Sequence, residues 1–180
     1  MAELTPLQLL RDMAQRCHVQ AAGLPESSDV EAAWHGIAFR LGQQSLVVAM
    51  SEVSEILQAP ATTRLPNVQP WVLGVANVRG RLLPLLDLNR FFGFSDAGQN
   101  RPGQPVLVME QGEQTDGLLV DALEGVQHFD DADFSAELPP IDARLKPFVR
   151  GQYRRDQRSW ALISLAALYA DRRFQEVALS

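Results

Sequence analysis

The chain has 180 residues, a formal net charge of −6, one cysteine (Cys17) and one lysine (Lys146). A lone cysteine excludes an internal disulfide, and acidic residues spread along the chain argue against phosphate-driven nucleic-acid binding, which needs a basic face. No run approaches eighteen consecutive apolar residues and the N-terminus lacks a basic stretch followed by an apolar one, so no membrane insertion and no signal peptide are expected, and the expected setting is cytoplasmic.

Thr5-Pro6-Leu7-Gln8 opens a helix, with Thr5 as N-cap, Pro6 at the first helical position and Gln8 completing a capping box. Leu7, Leu10, Met13, Ala14, Cys17 and Ala21 form one apolar stripe, and Gly23 and Pro25 end it. Residues 1–33 therefore read as a helical extension and linker, and 34–180 as the main domain. From Trp34 the period becomes two: Trp34, Gly36, Ala38 and Arg40 alternate with an apolar face of His35, Ile37, Phe39 and Leu41. Gly42-Gln43 turns the chain, and Leu46 to Ala49 returns as the second strand of a hairpin. Met50 to Leu57 suggests a helical turn and then a short strand.

Residues 72–87 give the sharpest local signal, two apolar runs around Arg79-Gly80-Arg81. Gly80 accepts positive φ at little cost, so the pair Arg79-Gly80 predicts a tight hairpin turn that lifts Arg79 and Arg81 out of the ribbon. Asp87 is a suitable N-cap for a short central helix from Leu88 to Phe92, ended by Gly93. Residues 95–104 are rich in Gly, Asn, Asp and Pro and mark a subdomain boundary. Val106–Met109, Gly117–Leu123 and Val126–Phe129 read as strands, Asp130–Pro147 as a long excursion, and Phe148–Tyr153 with Trp160–Leu165 as a last hairpin. Ser164 caps a terminal helix from Leu165 to about Gln175.

A weak internal repeat runs through this pattern. Leu86-Asp87-Leu88-Asn89-Arg90-Phe91-Phe92 and Ile163-Ser164-Leu165-Ala166-Ala167-Leu168-Tyr169 each leave a hairpin, place a cap residue and enter a helix. Many short strands with frequent turns suggest two small antiparallel barrels.

Little in the chain points to catalysis. His18, His35 and His128 lie far apart in sequence and lack metal-ligand spacing. Cys17 sits on an apolar stripe, where a thiol behaves as a small hydrophobe. Asp130-Asp131-Ala132-Asp133 lacks the glycine and distal glutamate of a calcium loop. Phosphate-binding, dinucleotide and nucleophile-elbow motifs do not occur. The expectation is a non-enzyme with no catalytic residue, metal or cofactor.

Three segments resemble the CheW family of chemotaxis coupling proteins. They are Val72-Leu73-Gly74-Val75-Ala76-Asn77-Val78-Arg79-Gly80 with Leu83-Pro84-Leu85-Leu86-Asp87-Leu88 and Phe91-Phe92-Gly93; Val53-Ser54-Glu55-Ile56 with Leu65-Pro66; and Gly117-Leu118-Leu119-Val120-Asp121. The resemblance covers about Trp34 to Tyr169. It implies a mainly β fold of two intertwined five-stranded SH3-like barrels. It also implies a non-catalytic adaptor that joins the cytoplasmic tip of a methyl-accepting chemoreceptor to the regulatory domain of a CheA-type histidine kinase. By motif position, the resemblance makes Val53, Glu55, Ile56, Asn77, Arg79, Gly80 and Arg81 the candidate partner-binding residues. Glu55 and Arg79 could equally pair with each other, and Val53 and Ile56 could simply be core. The N-terminal extension is similar to that of CheW-like adaptors in pilus-type chemosensory systems, which control type IV pili and twitching motility. That likeness implies recruitment to polar, membrane-associated receptor arrays. The alternative is a small-ligand sensor with a pocket between the barrels, lined by residues such as Trp71 or Trp160.

Overall fold

The computed structural model describes residues 34–94, 103–111 and 114–179. The expected N-terminal helix lies outside these residues. Among the described residues, twelve strands form two six-stranded sheets. The first contains β1 (Trp34–Leu41), β2 (Gln44–Ala49), β9 (Ala122–Phe129), β10 (Phe134–Ser135), β11 (Val149–Arg155) and β12 (Arg158–Ile163), in the spatial order β10-β11-β12-β2-β1-β9. The second contains β3 (Val53–Gln58), β4 (Thr62–Thr63), β5 (Val72–Val78), β6 (Arg81–Asp87), β7 (Pro105–Gln111) and β8 (Gln114–Leu119), in the order β4-β5-β6-β8-β7-β3.

The two orders match position by position when six is added to each strand number of the first half. The repeat legible in the sequence is therefore a structural repeat of six strands, β1–β6 and β7–β12. Each half gives away its first hairpin: β1–β2 completes the sheet of the second half, and β7–β8 completes that of the first. Among the described residues the parallel pairs, β12 with β2 and β6 with β8, are the joins where the exchanged hairpins dock. The irregularities repeat as well. Ser54 and Glu124 are bulged out at equivalent places on β3 and β9, and Leu73 and Arg150 on β5 and β11. Each sheet holds five strands of six to eight residues together with one two-residue strand, β4 or β10.

The exchange explains the burial. Ala76, Leu83, Leu85, Val106, Val108 and Leu119 fill one sheet's own core, and Ala38, Val47, Phe129, Tyr153 and Trp160 fill the other's. A third and larger core lies between the sheets, with Ile37, Phe39, Leu41, Leu107, Met109 and Leu118 among its members. Central strands are thus buried on both faces, which is why β2, β6 and β7 read as nearly continuous apolar runs. It also corrects the face assigned to β1. Its small residues Gly36 and Ala38 are buried along with the bulky ones, Ala38 packing in the sheet's own core.

Three segments differ from their expected form. The strand expected at 117–123 ends at Leu119, and β9 runs unbroken through the position expected to turn. The cause is the bulge at Glu124, followed by Gly125 at φ +95, which bends the strand without ending it. The excursion after Asp130 contains β10 and one-turn 3-10 helices at Asp131–Asp133 and Lys146–Phe148. The terminal helix is broken in two. With α1 the central helix at Leu88–Phe91, α2 spans Leu165–Ala170 and α3 spans Arg172–Gln175. Asp171 between them is extended, and its carboxylate accepts the Arg173 backbone N–H. The break turns Phe174 inward, where it stacks on Trp71. Both expected caps are present: Asp87 accepts the Arg90 backbone N–H, and Ser164 that of Ala167.

Candidate functional site

The β5–β6 hairpin holds several of the candidate residues. Its turn places both central residues at positive φ, Arg79 at 51° and Gly80 at 82°, the geometry of a type I′ turn. Glycine takes this conformation readily, whereas arginine does so against the steric preference of an L-residue. The Asn77 side-chain oxygen accepts the Gly80 N–H at 2.9 Å and braces the turn from inside the strand. So held, Arg79 extends across to β3 and donates to the Glu55 carboxylate at 2.5 Å. The arginine side chain remains 78% accessible and the glutamate 29%. The pair is therefore a solvent-facing clasp, with donors left free on the guanidinium.

Of the seven candidate residues, the fold brings Glu55, Asn77, Arg79 and Gly80 into one structure. Ile56 stands exposed beside Glu55 on β3, and Arg81 is exposed just past the turn. Val53 is half-buried and packs against the core between the sheets. Trp71 and Trp160, the residues suggested for a ligand pocket, are 7% and 5% exposed and lie in aromatic cores.

Sequence reasoning missed Leu82. It is the most exposed large apolar side chain among the described residues, at 73%, although it sits inside a run of leucines. Along β6, Leu83 and Leu85 point into the sheet's own core, while Leu82, Pro84 and Leu86 face the other way. That outer face and the C-terminal helices bound a groove of about 810 Å³, lined also by Leu65, Val72, Tyr169 and Phe174. Asp116 lines it as well. Burial raises the Asp116 carboxyl above its usual range, against a hydrogen bond from Tyr169, and burial beside that carboxylate pushes the Tyr169 phenol up.

Asp121 and Asp87 fix the scaffold behind the hairpin. One Asp121 oxygen accepts the Gly42 N–H at 2.6 Å and the other accepts the Asn89 amide at 2.7 Å, tying the β1–β2 turn to α1. Asp87 is buried, which raises its carboxyl pKa despite the Arg90 guanidinium 3.1 Å away. Among the described residues no three His, Cys, Asp or Glu side chains gather as a metal site, and no helix is long and apolar enough to cross a membrane.

Residues 35–173 match the model of the CheW-like domain. The chain belongs to the CheW-like family. It is 46% identical to Protein PilI of Pseudomonas aeruginosa over 97% of both chains. It is also 33% identical to a probable chemotaxis protein CheW of Rhizobium etli, over 75% of this chain and 86% of the relative. The crystal structure of the scaffolding protein TtCheW from Thermoanaerobacter tengcongensis superposes with a TM-score of 0.68 at 24% identity, covering 82% of this chain and 99% of that one. That likeness establishes the shared fold. Family membership supports the adaptor role expected from the sequence over the ligand-sensor alternative.

Proposed function

We propose that this protein is a non-catalytic adaptor joining a methyl-accepting chemoreceptor to a CheA-type histidine kinase, in a pathway that controls type IV pili and twitching motility. The observation that carries the reading is the match to PilI along nearly the whole of both chains. In this reading the N-terminal 33 residues precede one CheW-like domain spanning 34–180. The protein works in the cytoplasm, at receptor arrays at the cell pole, without entering the membrane.

An adaptor needs two surfaces, and the hairpin borders two. The β3 edge, with Ile56, Glu55 and the free donors of Arg79, receives the receptor tip. The groove under Leu82 receives the kinase regulatory domain, where an exposed leucine in an apolar trough supplies the buried anchor that protein interfaces depend on. Asn77, Gly80 and Arg81 contribute as the frame and flank of the turn.

Calorimetric titration with the regulatory domain and with a receptor-tip fragment from the same organism tests the assignment. Saturable one-to-one binding to each is expected, with Leu82→Asp weakening kinase binding and leaving receptor binding intact, and Ile56→Asp weakening receptor binding and leaving kinase binding intact. If neither partner binds the folded protein, the adaptor role fails. If both variants affect the same partner, the division of surfaces fails.

A further inference from the structure

The β11–β12 hairpin stands where the repeat places a counterpart of the β5–β6 hairpin, but on the other sheet. Its tip gathers three arginines, Arg154, Arg155 and Arg158, in a chain whose net charge is −6. Arg155 and Arg158 face each other in register across the antiparallel pair. Like charges directly opposite on adjacent strands are destabilising. The turn between them holds Asp156 at φ 49° and Gln157 at φ 65°, so both central positions are left-handed and neither is glycine. Two unfavourable features thus meet at one exposed point, a pattern that marks sites kept for recognition.

Local pairing offsets little of this. The Asp156 carboxylate is 4.0 Å from the Arg155 guanidinium and 93% accessible. The other Arg155 contact is a donation to the His128 backbone carbonyl at 2.6 Å, across to β9. Among the described residues no carboxylate lies within ion-pair distance of Arg154 or Arg158. Between the hairpin and β9 is a cavity of about 300 Å³, lined by Arg155, Arg158, Asp156, Gln127 and Trp160. The indole N–H of Trp160 already donates to a carboxylate, that of Glu124 on β9, at 2.8 Å.

We propose that this cavity binds carboxylate side chains of an acidic polypeptide segment, making the β11–β12 tip a further docking surface. The facing guanidiniums are planar forks that take a carboxylate bidentately, and a bound anion between them removes their mutual repulsion. The Gln127 amide supplies a further donor at the edge. This site lies on the opposite sheet from the hairpin of the receptor–kinase reading and does not rest on it.

The test uses the full ¹⁵N-labelled chain and a glutamate-rich hexapeptide, with a lysine-rich hexapeptide and inorganic phosphate titrated separately at matched ionic strength. Expected are saturable amide shifts centred on Gln127, Arg155 and Arg158 with the acidic peptide. They weaken several-fold as salt rises and disappear in Arg158→Glu and in Arg158→Gln. Both variants also unfold at a slightly higher temperature than the parent without peptide, because the facing like charges are gone. No localised shifts overturns the proposal, as does acidic-peptide binding that survives both variants. Saturable binding of phosphate without binding of the acidic peptide also overturns it, in favour of a phosphate site.

Discussion

Arg79 has two opposed effects on the β5–β6 hairpin, and replacing it with glycine separates structure from recognition. Its ion pair with Glu55 is mostly solvent-exposed, with side-chain accessibilities of 78% and 29%. Such pairs contribute up to about 1 kcal/mol. Its backbone at φ 51° costs an L-residue about 1–2 kcal/mol, which glycine does not incur. Glycine in turn gives back roughly 0.5–1 kcal/mol through greater freedom in the unfolded chain. The sum for Arg79→Gly lies between about 1 kcal/mol of destabilisation and about 1.5 kcal/mol of stabilisation, a shift of at most about 6 °C in Tm for a chain this long. Arg79→Ala keeps the strained backbone and loses the pair, so it should fall below both parent and glycine variant. Receptor-tip affinity should drop in both variants. Thermal unfolding followed by circular dichroism, with calorimetric binding on the same samples, reads both effects. A loss of more than about 2 kcal/mol in Arg79→Gly would show that the clasp holds the sheet together. Unchanged receptor binding in a folded variant would remove Arg79 from the interface.

Leu82→Asp should leave stability within about 0.5 kcal/mol, because the side chain is 73% exposed, yet weaken kinase binding by roughly 10- to 100-fold, the value of burying one leucine; titration calorimetry and a melting curve report the two. Gly74→Ala should destabilise by at least about 2 kcal/mol in urea unfolding, since a Cβ there overlaps the Thr63 carbonyl on β4 and φ is +133. Asp116→Asn should stabilise the protein at pH 7. Burial raises the folded-state carboxyl pKa above 3.8, so ionisation penalises the folded form, and the penalty disappears as pH falls through the raised value. The difference between variant and parent should therefore shrink toward zero near pH 4, and a constant difference across pH 4–7 would show that Asp116 titrates normally.

Turns and caps were legible because they are set by single residues, whereas the bulges that bend β3, β5, β9 and β11 were not foreseen. Gly42, Gly80, Asp87 and Ser164 act where the sequence places them. Hairpin exchange was not legible, because alternation shows which face of a strand is buried but not which strand lies beside it. The same limit hid Leu82. When both faces of a strand meet a core along most of its length, one exposed leucine in Arg81-Leu82-Leu83-Pro84-Leu85 looks like its neighbours. Pairings distant in sequence were equally hidden. His35 and His128 stand directly opposite on β1 and β9, with ring centroids 4.5 Å apart, although 93 positions separate them. Glu55 and Arg79 were identified as candidates, but only the curl of the sheet shows that they clasp.

The clasp has a counterpart that follows from the repeat. In one sheet a guanidinium from the β5–β6 turn reaches the edge strand β3; in the other, Arg155 from β11 reaches the His128 carbonyl on β9, and Trp160 reaches Glu124 on the same strand. Each sheet thus has its second hairpin drawn to its far edge by side-chain hydrogen bonds. Backbone pairing fixes the rest of each sheet, while the exchanged hairpins and the core between the sheets lock one to the other. Side chains on these seams project from a frame that neither half can complete alone. In the adaptor reading proposed above, that arrangement keeps surfaces on different sheets at a fixed spacing.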